Sequence, residues 1–166
     1  MLKEYALFWN AKRVEQAKSL NLSKKEVITL ASIVQKETAQ KIERPIVAGL
    51  YLNRLKKGWP LQADPTIIFC IREKKGQNTM IKRVLTADLK IDSPYNTYLN
   101  KGLPPGLISM PDVSAIDAVL NASKHNYYYM CANTDKIGFH TFAKTLSQHN
   151  RNAEKYHRWL NKKGIN

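Results

Sequence analysis

The chain has 166 residues, 43% hydrophobic and 24% charged, enough for one domain whose core needs neither disulfides nor a metal. Against 13 acidic residues stand 27 Lys and Arg, a net charge of +14; this fits an anionic partner such as nucleic acid, a membrane surface or an acidic polymer, and fits a solvated lysine surface equally well. Cys70 and Cys131 are too few and too far apart for a disulfide scaffold or a zinc cluster, and no apolar run reaches the roughly 18 residues of a membrane span.

No signal-peptide pattern opens the chain, which taken literally reads as soluble and intracellular. Residues 4–19 predict one moderately amphipathic helix on Tyr5, Phe8, Trp9, Val14 and Ala17. The opening looks like mid-helix material, so residues 1–22 are expected to be a connector from absent upstream sequence. Ser23 and Glu26 then match a capping box. They open a helix with Val27, Leu30, Ala31 and Val34 on one face and Lys25, Thr29, Ser32 and Lys36 on the other.

Glu43-Arg44-Pro45 starts a second helix, which Gly58 and Pro60 close. Asp64-Pro65 reads as a turn feeding a short buried strand, Thr66–Ile71. EKKGQNTMIKR is a surface loop, and Thr86 is expected to cap a short turn. Residues 93–111 lack any helical or strand period yet hold Tyr95, Tyr98, Leu103 and Ile108, so they predict an ordered functional loop. A third helix follows over 112–121. Tyr127–Ala132 and Phe139–Phe142 predict a hairpin, and a long polar helix with Leu146, Ala153, Tyr156 and Leu160 inward ends the chain. The fold class is α+β, several helices packed around a small, mainly antiparallel sheet.

Among chemically able residues Glu37 comes first. At 100° per residue it falls near Leu30, Ile33 and Val34, and it stands at the negative end of its helix. Both conditions disfavour a charged carboxylate, as a general acid requires. A salt bridge to Lys36, Lys41 or a distant arginine is the structural alternative, and the pattern leaves the two level. Glycoside hydrolysis ordinarily needs a second acid. Glu43 reads as a helix-start acid, Asp92 as a turn residue, and Asp64 as the best second acid or a structural turn. His140 could be a base, a substrate contact or satisfied packing. His149 and Asn150 could face a site or water. Alternating strand geometry sends at least one of Tyr127, Tyr128 and Tyr129 into the core.

LASIVQKET, NRLKKGWPLQADPT, SPYNTY, KGLPPGLIS and HTFAKTLSQHN occur here in the order found in the endolytic murein transglycosylases of the YceG-like family, which the chain resembles from about Leu30 to its last helix. The resemblance implies a catalytic domain, 23–166, that cleaves peptidoglycan between N-acetylmuramic acid and N-acetylglucosamine without water, leaving 1,6-anhydro-muramyl ends. It implies that Glu37, the acid of the ET pair, is the single acid–base residue; some relatives carry another acid where this chain has Gln35. Gln62, Asp64, Thr66, Tyr95, Asn96, Thr97 and His140 are then expected to line the cleft and bind substrate.

No cofactor and no metal are implied. Expected partners are peptidoglycan glycan strands and cell-wall synthases, with no nucleic acid, and with membrane contact only through a missing N-terminal helix. The expected place is outside the cytoplasmic membrane. Three rivals stand beside this reading. One is a glycan-binding module without turnover. A nucleic-acid-binding domain is the second, though the basic residues are scattered rather than striped. A Schiff-base lyase is the third, for which no lysine has an apolar setting.

Overall fold

A computed structural model describes residues 2–165. Seven α-helices and one two-stranded antiparallel sheet are present among the described residues, an α+β arrangement as expected. In chain order they are α1 (Leu2–Phe8), α2 (Ala11–Ser19), α3 (Lys24–Glu37), α4 (Arg44–Lys57), α5 (Asp64–Lys75), α6 (Val113–Leu120), β1 (Tyr129–Ala132), β2 (His140–Ala143) and α7 (Leu146–Lys162).

The single helix expected over 4–19 is two. Trp9 turns into the core, and Asn10 Oδ1 accepts the Arg13 N–H at 3.0 Å to cap α2 afresh. Trp9 and Ala17 thereby join the apolar cluster built by Val27, Leu30, Val34, Val47, Leu50, Ile116 and Val119 of α3, α4 and α6. A bidentate Arg13–Asp117 pair ties α2 to α6.

The α3 capping box is present, with Glu26 N–H on Ser23 Oγ at 3.1 Å and Ser23 N–H on Glu26 Oε1 at 3.0 Å. The helix is not two-faced, however. Thr29 and Ser32, expected outside, are buried, and the loop 93–111 lies over Ser32, whose Oγ donates to Thr29 O and accepts the Ile108 N–H at 3.1 Å. Gln35 fastens the far end of that loop, donating to Met110 O and accepting the Asp112 N–H.

Helix α4 starts at Arg44-Pro45 and ends on Gly58 at φ 67°, a left-handed cap that glycine adopts without strain. Within it Gly49 is set by close approach: a Cβ there would run into the Ser123 carbonyl and stand 2.7 Å from His125 Nε2.

The strand expected at Thr66–Ile71 is helix. Asp64 and Pro65 form the first turn of α5, and Thr66, Ile67, Cys70 and Ile71 bury one face at helical spacing. A short apolar run cannot be told from a buried helix by period alone. At 86–90 a 3₁₀ turn forms, but its closing bond comes from Asp88, which accepts the Leu85 N–H at 2.8 Å, and Thr86 caps nothing. The hairpin pairs Ala132 with His140 and Tyr129 with Ala143; the first strand starts two residues later than expected and the second is shifted by one residue. Leu146, expected inward on α7, is exposed.

Candidate active site

Four elements deliver the site. Helix α3 ends on Glu37, whose neighbour Thr38 leaves helical geometry at φ −141°. Arg44 fixes that corner from α4: its Nη1 grips both Asp112 oxygens at 3.0 and 3.1 Å and its Nε reaches Thr38 O at 3.4 Å. The Glu37 side chain is 15% exposed. Its Oε2 accepts the Tyr51 hydroxyl at 2.8 Å, and its Oε1 stands 3.4 Å from His140 Nε2. The partners of Glu37 are thus neither the lysines nor the arginine weighed as salt-bridge partners but a tyrosine donor from α4 and an imidazole from β2.

His140 is held from behind. Glu43, with a side chain only 4% exposed, accepts the His140 backbone N–H at 2.6 Å and Nδ1 at 2.8 Å. Burial disfavours the imidazolium, but the bonds and charges of Glu37 and Glu43 outweigh it and raise His140 to about 9. At neutral pH His140 is thus a cation, with the Glu37 side chain at one ring nitrogen and the Glu43 side chain at the other. Glu43 was expected to serve the start of its helix. It does occupy that position, yet its carboxylate makes no cap bond there. Glutamate is a poor N-cap, and that mismatch was the available signal.

Asp64, at the first turn of α5, accepts the Tyr98 hydroxyl. Although its side chain reaches solvent, the protein packed around it raises its pKa; Tyr98 opposes that rise and the charge of Glu37 adds to it. Tyr51 is pushed well above 10 by burial and by Glu37, so its hydroxyl remains a donor.

The remaining expected cleft residues divide. Gln62 is exposed at φ 51°, a left-handed conformation that is costly for a non-glycine residue and often marks function. Tyr95 is half-buried with its ring 4.7 Å from Phe69. Thr66, Asn96 and Thr97, expected to face the substrate, are enclosed with 0% exposure each. Thr66 and Thr97 bond each other at 2.8 Å and hold Ala63, pinning the start of α5 to the loop. Asn96 donates to Leu89 O and Ile91 O and accepts from Tyr98 and Leu99, which sets the turn presenting Tyr98. They shape the cleft wall because a polar side chain with every partner already inside the protein has none left for a sugar. Glu43, Tyr51 and Tyr98 are the contributors that sequence reasoning missed. Tyr51 was hidden by its place on an apolar helix face.

Chemically the cluster offers one solvent-reaching carboxyl that can exchange a proton, a neutral donor on one of its oxygens and a cation beside the other. Known proteins carry similar sequences. An endolytic murein transglycosylase of Bacillus subtilis is 38% identical over 94% of this chain, and one of Streptococcus pneumoniae is 37% identical over 84%. The chain spans 41% and 25% of their lengths. The crystal structure of a yceG-like protein from Listeria monocytogenes superposes with a TM-score of 0.73 at 38% identity, covering 85% of this chain and 44% of that one. The profile of the YceG-like family matches residues 1–155, and the chain belongs to that family.

Proposed function

We propose that this chain is the catalytic part of a lytic transglycosylase, which cuts the β-1,4 bond between N-acetylmuramic acid and N-acetylglucosamine in peptidoglycan and leaves a 1,6-anhydro-muramyl end. The observation that carries the reading is the Glu37 carboxyl, 15% exposed, bonded by Tyr51 and faced by His140. The names of its relatives support the substrate class.

Glu37 gives its proton to the glycosidic oxygen as the C1–O bond breaks, and the N-acetylglucosamine side leaves with a 4-hydroxyl. The muramyl C6 oxygen then bonds to C1, and its proton returns to Glu37. No water is consumed, and one acid serves both steps. Between them Glu37 is a carboxylate, which the Tyr51 hydroxyl and the His140 cation stabilise in place. Asp64 orients the reacting sugar and takes no part in the proton transfer. The strands it works on lie outside the cytoplasmic membrane, which is where this domain acts, tethered by an N-terminal helix and working beside cell-wall synthases.

Purified glycan strands digested in ¹⁸O-water test the mechanism. Anhydro ends without label are expected, and hydrated, labelled ends overturn it. Glu37→Gln is expected to lower the rate by about a thousandfold with binding kept. Unchanged turnover in that variant removes Glu37 from the chemistry, and binding without turnover by the unmodified protein leaves a glycan-binding module.

A further inference from the structure

Arg13 on α2 and Arg44 and Arg54 on α4 are all buried or half-buried, and two of the three have an acid. Arg13 is paired with Asp117 and Arg44 with Asp112. Arg54, one end of α4 away from Arg44, is 7% exposed, and among the described residues no carboxylate lies within ion-pairing distance of it. Its Nε donates to Tyr128 O at 2.7 Å and its Nη1 to Pro60 O at 2.9 Å. Its guanidinium sits 5.3 Å from the Tyr129 ring centre and 5.9 Å from that of Trp59. Carbonyls and ring faces orient this cation without neutralising it, and an uncompensated buried charge is costly.

Arg54 lines a cavity of about 310 Å³ together with Gln62, Tyr98, Tyr129, His149 and Asn150. Tyr51 and Tyr98 also line it, so the cavity opens beside Glu37 and Asp64. No acidic side chain lines it. From α7, His149 stacks on Tyr129 with ring centres 5.2 Å apart, and its buried Nδ1 has no hydrogen-bond partner. Burial and the nearby Arg54 charge lower the His149 pKa, so the ring is a neutral donor or acceptor. A fixed cation, an unused imidazole nitrogen and the amides of Gln62 and Asn150 suit a carboxylate rather than a neutral sugar hydroxyl.

We propose that this cavity is a subsite for a carboxylate on the peptide side chain of the glycan, with Arg54 as its charge partner and His149 as a second contact. The proposal rests on the peptidoglycan reading above and names the part of that substrate the chain selects. It also gives Gln62 a reason for its strained backbone: Gln62 Oε1 stands 3.5 Å from Arg54 Nη1, at the junction of cavity and cleft.

The test uses two preparations of peptide-bearing glycan strands, one native and one with its peptide carboxyls converted to amides, which removes charge with little change of shape. The unmodified protein is expected to cut native strands with a kcat/KM about tenfold above that for amidated strands. Arg54→Gln brings that ratio to one. A ratio of one in the unmodified protein, or an unchanged ratio in a folded Arg54→Gln, overturns the subsite. Arg54 also holds two loop carbonyls, so His149→Ala provides a second reading if Arg54→Gln does not fold. There the ratio falls about threefold, and an unchanged ratio overturns the proposal. A protein that cuts neither preparation refutes the transglycosylase reading itself, an outcome distinct from equal cutting of both.

Discussion

Glu43 and Asp64 flank the same acid under opposite conditions. Glu43 is 4% exposed and spends both oxygens on His140, one on the backbone N–H and one on the ring. Asp64 reaches solvent, is bonded by the Tyr98 hydroxyl, and has its charge disfavoured by the protein around it. Of the two, the acid that is better enclosed is the one that cannot meet a substrate. Its work is to fix the ring and charge of His140, and through them the environment of Glu37. Asp64 has the access that a sugar contact needs. Position near Glu37 therefore does not assign a role; what each oxygen is already bonded to does.

Breaking the two acids in turn should separate these roles most sharply. Glu43→Gln leaves the buried imidazolium short of one charge partner and is expected to destabilise the fold by about 3 kcal/mol in urea unfolding. Asp64→Asn, whose amide oxygen can still accept from Tyr98, is expected to cost less than about 1 kcal/mol. It should lower the cutting rate about tenfold with the product unchanged. Equal stability losses would show that the burial contrast carries no energetic weight.

The same contrast predicts a pH dependence. A histidine raised from 6.5 to about 9 in the folded state contributes stability in full below pH 6.5 and loses it as pH climbs through about 9. Unfolding free energy should thus fall across that window, and His140→Asn should remove most of the fall. Asp64 has a raised pKa, so the unfolded chain ionises it more readily, and its own contribution works against stability as pH rises above the ordinary carboxylate range. A stability profile flat from pH 6 to 9 would show that the His140 charge is not coupled to folding.

What the chain spelled out locally was legible. Ser23 and Glu26, Pro45 and Gly58 start and stop their helices through bonds and dihedrals among near neighbours. What depended on distant segments was not. Ser32 looked solvent-facing until the loop 93–111 covered it, and Thr66, Asn96 and Thr97 looked like substrate contacts until their partners proved to be each other and nearby backbone groups. The α5 stretch misled because IIFCI fits a strand as well as a helix, and Asp64-Pro65 opens either. Glu37 was legible as an acid in a demanding place, whereas its partners come from 14 residues away in Tyr51 and from across the hairpin in His140.

Tyr51 gives the finest division between the neighbours of Glu37. Its hydroxyl is a neutral donor whose pKa lies well above 10, so across working pH it neither gains nor loses charge. Removing it by Tyr51→Phe takes one bond from Glu37 Oε2 and leaves the His140 side intact. The fold should lose about 1 kcal/mol or less, because Glu37 reaches water that can replace the donor. The cutting rate should fall about tenfold, the cost of one donor to a developing carboxylate, while the shape of the pH–rate profile stays as it was. His140→Asn should instead change that shape, because it removes a group that titrates. If Tyr51→Phe moves the profile as far as His140→Asn does, the two sides of Glu37 act as one network, and the separation drawn between a fixed donor and a titrating cation is lost.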